Sequence, residues 1–422
     1  MDSMLSVLSY GIGTILGIVL IGGLIVLIIH DVTQKKHTVL RNFPVVGRLR
    51  FFFENLGEYF RQYFFAGDRA ELPFNRATRG AQEAGCWMST GEGGLAPDHL
   101  AGGCDIVMQM GTAKYGMRNL DGSFSPDKAR ELASHVKAFE IKLSQGAKPG
   151  KGGVLPGGKV TEEISRIRGI PAGKDSISPN RHYDIANMDQ LLDRVAYLRD
   201  LTGRPVGIKT AVGGWEFIND LCDKVLQRGK EYAPDFLHID GGEGGSGAAP
   251  QTLMDHMALP IAEALPRVVD SLLQSDLKSR IRVVAAGKLV TSARAAWALC
   301  VGADFVVTAR GFMFSLGCIQ ALRCHTNTCP TGVTTHNKRL QRGLVVEEKY
   351  LRVASYARNM NREIDMIAHS CGCRHARELK REHVRIVQTA NQSVALNMLY
   401  PYPAAGSRAA SRKATAAASA VA

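Results

Sequence analysis

Two patterns of apolar residues divide the chain. From Met4 to Ile29 no charged residue interrupts the sequence, a length sufficient to cross a bilayer as a helix. A cleaved leader would carry a basic start and a small-residue cleavage site. Neither is found, so the pattern predicts a retained transmembrane anchor over 1–30. Beyond it, short β-rich runs alternate with longer helical patterns, the mark of parallel βα units. Strands are predicted at 86–90 (CWMST), 105–110 (DIVMQM), 138–144 (AFEIKLS), 205–210 (PVGIKT), 236–240 (FLHID), 282–287 (RVVAAG) and 304–309 (DFVVTA). Most run into glycine-rich or polar loops, and parallel strands ending this way describe the active-site face of a (βα)8 barrel. A doubly wound sheet also alternates and binds ligands at its strand ends. Glycines after nearly every strand, with no single dominant GxGxxG, favour the TIM barrel. Only seven strands are legible where a closed barrel has eight.

Charge changes the picture little. The 422 residues carry a formal +13, which invites nucleic acid or an anionic surface. Much of the excess, however, sits at Lys35, Lys36, Arg41, Arg48 and Arg50, beside the anchor, and at Arg408, Arg412 and Lys413. A basic patch beside a membrane helix accounts for the first group, and no nucleic-acid-binding motif is present. By the positive-inside rule the N-terminus faces outward and the rest lies in the cytoplasm. Residues 31–80 read as a basic, aromatic juxtamembrane segment, 81–403 as the barrel, and the Ala/Ser-rich 404–422 as a disordered tail.

Nine cysteines in a cytoplasmic domain argue against a disulfide framework. Cys318, Cys324 and Cys329 fall in GCIQALRCHTNTCPTGV, a C-x5-C-x4-C loop directly after the last strand. Three thiolates on one loop suit an iron–sulfur cluster. Zinc with His325 as a fourth ligand, or three unrelated buried cysteines, also fits the spacing alone. Cys371 and Cys373 (HSCGC) read as buried thiols or as a shield for such a cluster.

The loop GFMFSLGCIQALRCHTNTCPTG, with AAGKLVT and GADFVVTARG before it, resembles glutamate synthase. The likeness extends through TGEGG (90–94), KLSQGAKPGKGGVLPGGKV (142–160), SISP (176–179), VGIKT (206–210) and GGEGGSGAAP (241–250), covering roughly 81–385. In its membrane-anchored form the chain resembles the stand-alone glutamate-synthase-like proteins built on the synthase domain. The resemblance implies FMN, with a [3Fe–4S] cluster held by Cys318, Cys324 and Cys329. It places the FMN phosphate at Gly287, Lys288, Arg310 and Gly311, where barrels of this type hold phosphates on backbone N–H groups. Lys209 would face the flavin, whose reduced form is anionic. Thr90 and the loop from Asp240 through Gly244, Gly245 and Gly247 would touch flavin or substrate. Lys142, Gln145 and Lys148 would bind 2-oxoglutarate, since a dicarboxylate calls for cations and amide donors. Glu92 would orient ammonia or transfer a proton.

Two departures from the family follow. No cysteine precedes Cys86, so the glutaminase of the large synthase chain is expected to be absent. No NADPH-binding domain is legible either. Ammonia or another amine, or the product of a separate glutaminase subunit, would then be supplied from outside. Electrons would come from a ferredoxin-like or flavoprotein donor. Secondly, NRATRG (75–80) runs straight into AQEAGCW (81–87), where relatives carry several tens of residues that include the first barrel strand. A faulty gene record, a natural deletion, or substitution by residues 50–75 would each account for the gap. The expected activity is reductive amination of 2-oxoglutarate to glutamate. N-methylglutamate synthesis from methylamine, or a catalytically impaired membrane subunit, are the rival readings.

Overall fold

Each apolar run that ends in a glycine-rich loop forms a strand, and all pair in parallel. The computed structural model describes residues 2–33, 44–45, 48, 79–245, 249–250, 252–341, 344 and 346–408. The strands are β1 (Met88–Ser89), β2 (Ile106–Met110), β3 (Ala138–Lys142), β4 (Val206–Thr210), β5 (Phe236–Asp240), β6 (Arg282–Ala286) and β7 (Phe305–Val307). They line up in sequence order in one seven-stranded sheet. In register, Glu140 sits opposite Gly207, Lys209 opposite His238, and Asp240 opposite Ala286. The sheet curls as part of a TIM-type α/β barrel. Among the described residues β1 pairs only with β2 and β7 only with β6, leaving two unjoined edges. Residues 50–75, the candidates for a substitute strand, lie outside the described residues.

Alternation decides which side chains face the helices. Met108, Phe139, Ile141, Ile208, Leu237, Ile239 and Val283 are fully buried in one cluster with Leu192, Val195, Leu221 and Val268 of the surrounding helices. Numbered after the N-terminal helix α1 (Asp2–Thr33), those helices are α2 (Pro126–Ala133), α3 (Met188–Thr202), α4 (Glu216–Arg228), α5 (Ile261–Gln274) and α6 (Ser292–Val301). Each begins where local chemistry allows it. Asn187 accepts the Gln190 N–H at 2.9 Å ahead of α3. The Glu243 carboxylate accepts the first N–H of α5, from Ile261, at 3.0 Å, a negative charge at the positive end of a helix. Intervening positions on β2–β6 face the concave side, and they carry the polar residues described below.

The contacts divide the chain into two units, Met1–Ala66 and Gly67–Ala422. In the first, α1 spans Asp2–Thr33, and Gly13–Thr33 is long and apolar enough to cross a membrane. Near its C-terminal end Asp31 pairs with Arg48 at 2.5 Å. Most of the juxtamembrane segment lies outside the described residues. Within the segment read as a tail, Arg408 donates to the Asp223 carboxylate at 2.8 Å and to Asn219 Oδ1 at 2.9 Å. Residues 409–422 lie outside the described residues.

Candidate active site at the strand ends

Lys142 closes β3 with its side chain on the concave face, only 8% exposed. Its Nζ donates to Glu92 Oε2 and to Gln145 Oε1, each at 2.5 Å. Its carbonyl is held from behind by His182 Nε2 at 2.9 Å. Burial alone would raise the Glu92 carboxyl, but Lys142, aided by Lys148 and Arg168, outweighs it and holds the group below the ordinary range. At Lys142 the balance reverses: burial depresses the ammonium, and Glu92 only partly opposes this. Three of the predicted substrate residues thus form one hydrogen-bonded group, with Lys148 near enough to act on it electrostatically. Gly153 passes directly against Glu92, since a Cβ there would fall on Oε1.

The loop after β3 packs onto the loop after β5. The Gly146 N–H donates to Asp240 Oδ2 at 3.0 Å, and a Cβ on Gly146 would strike the Gly241 carbonyl. Gly244 lies against Asp240 in the same way, and Gly245 (φ +116°) lies against Ala147. Lys209 Nζ sits 3.9 Å from Asp240 Oδ2. Among the described residues it makes no hydrogen bond within 3.5 Å. Arg310 Nη2 donates to the carbonyls of Glu243 and Gly245, at 3.4 Å each. Gly287 (φ +132°) lies against Gly241, and Lys288 reaches Asp255 at 3.5 Å. Gly311, in α7 (Ala309–Ser315), faces the Tyr356 hydroxyl so closely that no Cβ fits. Thr90 spends its hydroxyl on the backbone, donating to Gly91 O at 2.8 Å and accepting the Gln109 N–H at 3.0 Å. Gly247 lies outside the described residues.

This mouth fits FMN on its own chemistry. The Lys209 ammonium lies beside Asp240, whose carboxylate is packed against the glycine backbone of two loops, and a cation next to close-packed glycine backbone suits an anionic, planar ligand. The cysteine loop fits iron in donor type only. Cys318 and Cys329 are near enough to act on the Cys324 thiol, which burial raises. At Cys329 the Thr331 and Thr334 hydroxyls outweigh burial and lower the thiol. Among the described residues no group of three or more His, Cys, Asp or Glu is gathered closely enough to hold a metal ion.

Several residues escaped sequence reasoning. Gln109, Glu140 and His238 form a buried chain across the concave face: Gln109 Nε2 donates to Glu140 Oε1 at 2.5 Å, and His238 Nδ1 meets Glu140 Oε2 at 2.6 Å. Burial would raise the Glu140 carboxyl, but His238, Lys209 and Gln109 hold it well below the ordinary range. The signal was the E of AFEIKLS, two positions before Lys142 and so on the same inward face of the strand. Arg168 stacks on Tyr115, 4.9 Å from the ring centre, and its guanidinium lies over Gly93 beside the Glu92 group.

The conserved region of glutamate synthase matches residues 74–374. The glutamate synthase large subunit-like protein YerD of Bacillus subtilis is 43% identical over 352 residues, covering 83% of this chain and 65% of that protein. The archaeal glutamate synthase (NADPH) of Methanocaldococcus jannaschii is 34% identical over 319 residues, covering 75% and 59%. The archaeal-type glutamate synthase (NADPH) of Thermotoga maritima is 32% identical over 296 residues, covering 70% and 55%. The chain spans less than two thirds of the length of each of these relatives. The matched region takes in the whole strand-end mouth and the cysteine loop, and the chain belongs to the glutamate synthase family.

Proposed function

We propose that this chain is an FMN- and iron–sulfur-dependent oxidoreductase of the glutamate synthase type, tied to a membrane by α1 with its barrel in the cytoplasm. It converts 2-oxoglutarate and externally supplied ammonia to glutamate with electrons from a ferredoxin-like or flavoprotein donor. The observation that carries this reading is the Glu92–Lys142–Gln145 group, set beside Lys209 at one end of a parallel sheet.

FMN, when bound, supplies the hydride chemistry, with the cluster as its electron relay. The protein's own residues position and charge the site. Lys142 and Lys148 oppose the two carboxylates of the substrate, and the Gln145 amide adds a donor. Glu92, held ionised by Lys142, accepts a proton at Oε1 from the incoming ammonium. Lys209 and Arg310, with the glycine backbone of the two loops, would hold the flavin. Cys318, Cys324 and Cys329 would hold the cluster.

The test is glutamate formation by the full chain, reconstituted with FMN, iron and sulfide and given 2-oxoglutarate, ammonia and a reduced ferredoxin. Lys142→Met should raise the half-saturating 2-oxoglutarate concentration about 10- to 100-fold, since a hydrogen bond to a charged group is worth about 1.5–3 kcal/mol. An unchanged value would remove Lys142 from the substrate site.

A further inference from the structure

β3 pairs with β2 only as far as Met110 opposite Ile141, so the carbonyl of Lys142 lies one residue past the end of that ladder. A buried carbonyl there needs another donor. His182 supplies it from 40 residues further along the chain, its Nε2 donating to the Lys142 carbonyl at 2.9 Å. A carbonyl only accepts, so Nε2 carries the hydrogen and Nδ1 is the lone-pair nitrogen. The residue is 3% exposed, and Nδ1 meets no partner among the described residues. Three neighbours clamp the segment that carries the ring. Thr112 Oγ1, in the loop after β2, donates to the Pro179 carbonyl at 2.7 Å. The Ser178 N–H donates to the Gly153 carbonyl at 2.8 Å. Asp184 pairs with Lys114 at 3.0 Å and with Arg194 of α3 at 2.7 Å.

Lys114, Asp184 and Arg194 are the charged groups that act on the imidazole. Burial, aided by the two cations, holds the ring below its ordinary range against the Lys142 carbonyl and Asp184. A second proton would also place an N–H on Nδ1 with nothing to accept it. The neutral ring is therefore a fixed donor with one bond to give. Lysine is a point charge on a flexible four-carbon stem, so a buried ammonium meets two acceptors at once only when the root of the stem is held. We propose that His182 is the positioning residue of Lys142: it fixes the backbone where the lysine leaves β3, and so keeps Nζ between Glu92 and Gln145 for a substrate carboxylate. The proposal rests on the reading of Lys142 as a ligand of 2-oxoglutarate. A displacement of about 1 Å at such a group is enough to cost a large part of its effect.

The experiment uses the full chain and its His182→Phe, His182→Gln, Lys142→Met and Lys142→Met/His182→Phe variants. Binding of 2-oxoglutarate is measured by calorimetry, and trace acylation of each lysine by mass spectrometry. His182→Phe should weaken binding about tenfold, close to the loss of one hydrogen bond, and should acylate Lys142 several-fold faster. Lys278, which is paired with Asp304 at 2.7 Å, should keep its rate and so report any general loosening. His182→Gln, whose amide can donate in the same place, should recover both values. With Lys142→Met already present, His182→Phe should weaken binding little further, whereas a merely structural role predicts the same loss in both backgrounds. Equal losses, a Gln variant no better than Phe, or unchanged binding and acylation in Phe would each overturn the proposal. Where Phe does not fold, His182→Asn, with an amide too short to reach the carbonyl, takes its place against Gln. A wild-type chain that binds no 2-oxoglutarate would instead sink the substrate reading, while the acylation of Lys142 still decides whether His182 holds it.

Discussion

Glu140 brings two carboxylate oxygens to the concave side of the sheet, and both are occupied, one by Gln109 and one by His238. Glu140 is 1% exposed and His238 2%, so neither can recover its losses from water. Deleting one member of a buried pair leaves the other uncompensated and costs about 3–5 kcal/mol. His238→Ala should therefore lower the unfolding free energy by about that amount in urea titrations. The Glu140→Ala/His238→Ala double variant should lose less than the sum of the single changes. The sign with pH follows from the depressed carboxyl. Its stabilisation is fully present above the ordinary value of 4.5 and is lost as pH falls towards the folded value of about 2. The wild type should thus lose more stability across that window than Glu140→Gln. Equal losses would show that the pair does not stabilise the fold.

The strands were legible because each is a short apolar run stopped by glycine, a signal carried in five or six consecutive residues. All seven predicted strands form, six of them trimmed by one to three residues where pairing stops and Phe236–Asp240 with its predicted bounds. The grouping of Glu92 with Lys142 and Gln145 was legible only through family resemblance, since these residues come from two strand ends 50 positions apart. What stayed hidden depends on which loops touch. Inside the loop after β3 lie a short antiparallel pair, Val154–Leu155 with Ser176–Ile177, and a helix, Glu162–Arg168. None of these announces itself by periodicity. The cysteine loop is similarly shaped by contacts, with Gln320, Leu322 and Asn327 all at positive φ, a conformation that non-glycine residues adopt only under constraint. Thr335 Oγ1 donates to Asn327 O at 2.6 Å, which fixes the far side of the loop by hydrogen bonding. Cys324→Ser should accordingly remove most bound iron while leaving expression and the far-ultraviolet circular dichroism intact. Iron and sulfide at wild-type content in that variant would refute the ligand assignment.

At the scale of the whole molecule, α1 makes one expectation and the open sheet another. Deleting residues 1–30 should move the protein from the membrane to the soluble fraction, and protease added outside intact cells should leave the barrel uncut. The open sheet bears on the cofactor. Its edge strands are also its shortest, β1 with two residues and β7 with three, as expected where, among the described residues, each has a partner on one side only. An unpaired edge exposes backbone donors and acceptors, and the gap falls beside Thr90 and the TGEGG loop that carries Glu92. A strand set there would close the barrel and add backbone contacts to the flavin. Each hydrogen bond lost to a bound group costs on the order of 1 kcal/mol, and about 1.4 kcal/mol is tenfold in affinity. Several such losses weaken FMN binding by orders of magnitude. The buried Ala81, whose carbonyl accepts the Cys86 N–H at 2.7 Å, marks where the chain leads into β1. Inserting a relative's first-strand segment between Gly80 and Ala81 should therefore tighten FMN binding by at least a hundredfold, as read by quenching of flavin fluorescence on titration. Resequencing the gene is the control, because finding the segment there would assign the gap to the record rather than to the protein. Tight stoichiometric FMN binding by the chain as it stands, at limiting FMN, would defeat the deletion argument and direct attention to residues 50–75 as the source of the eighth strand.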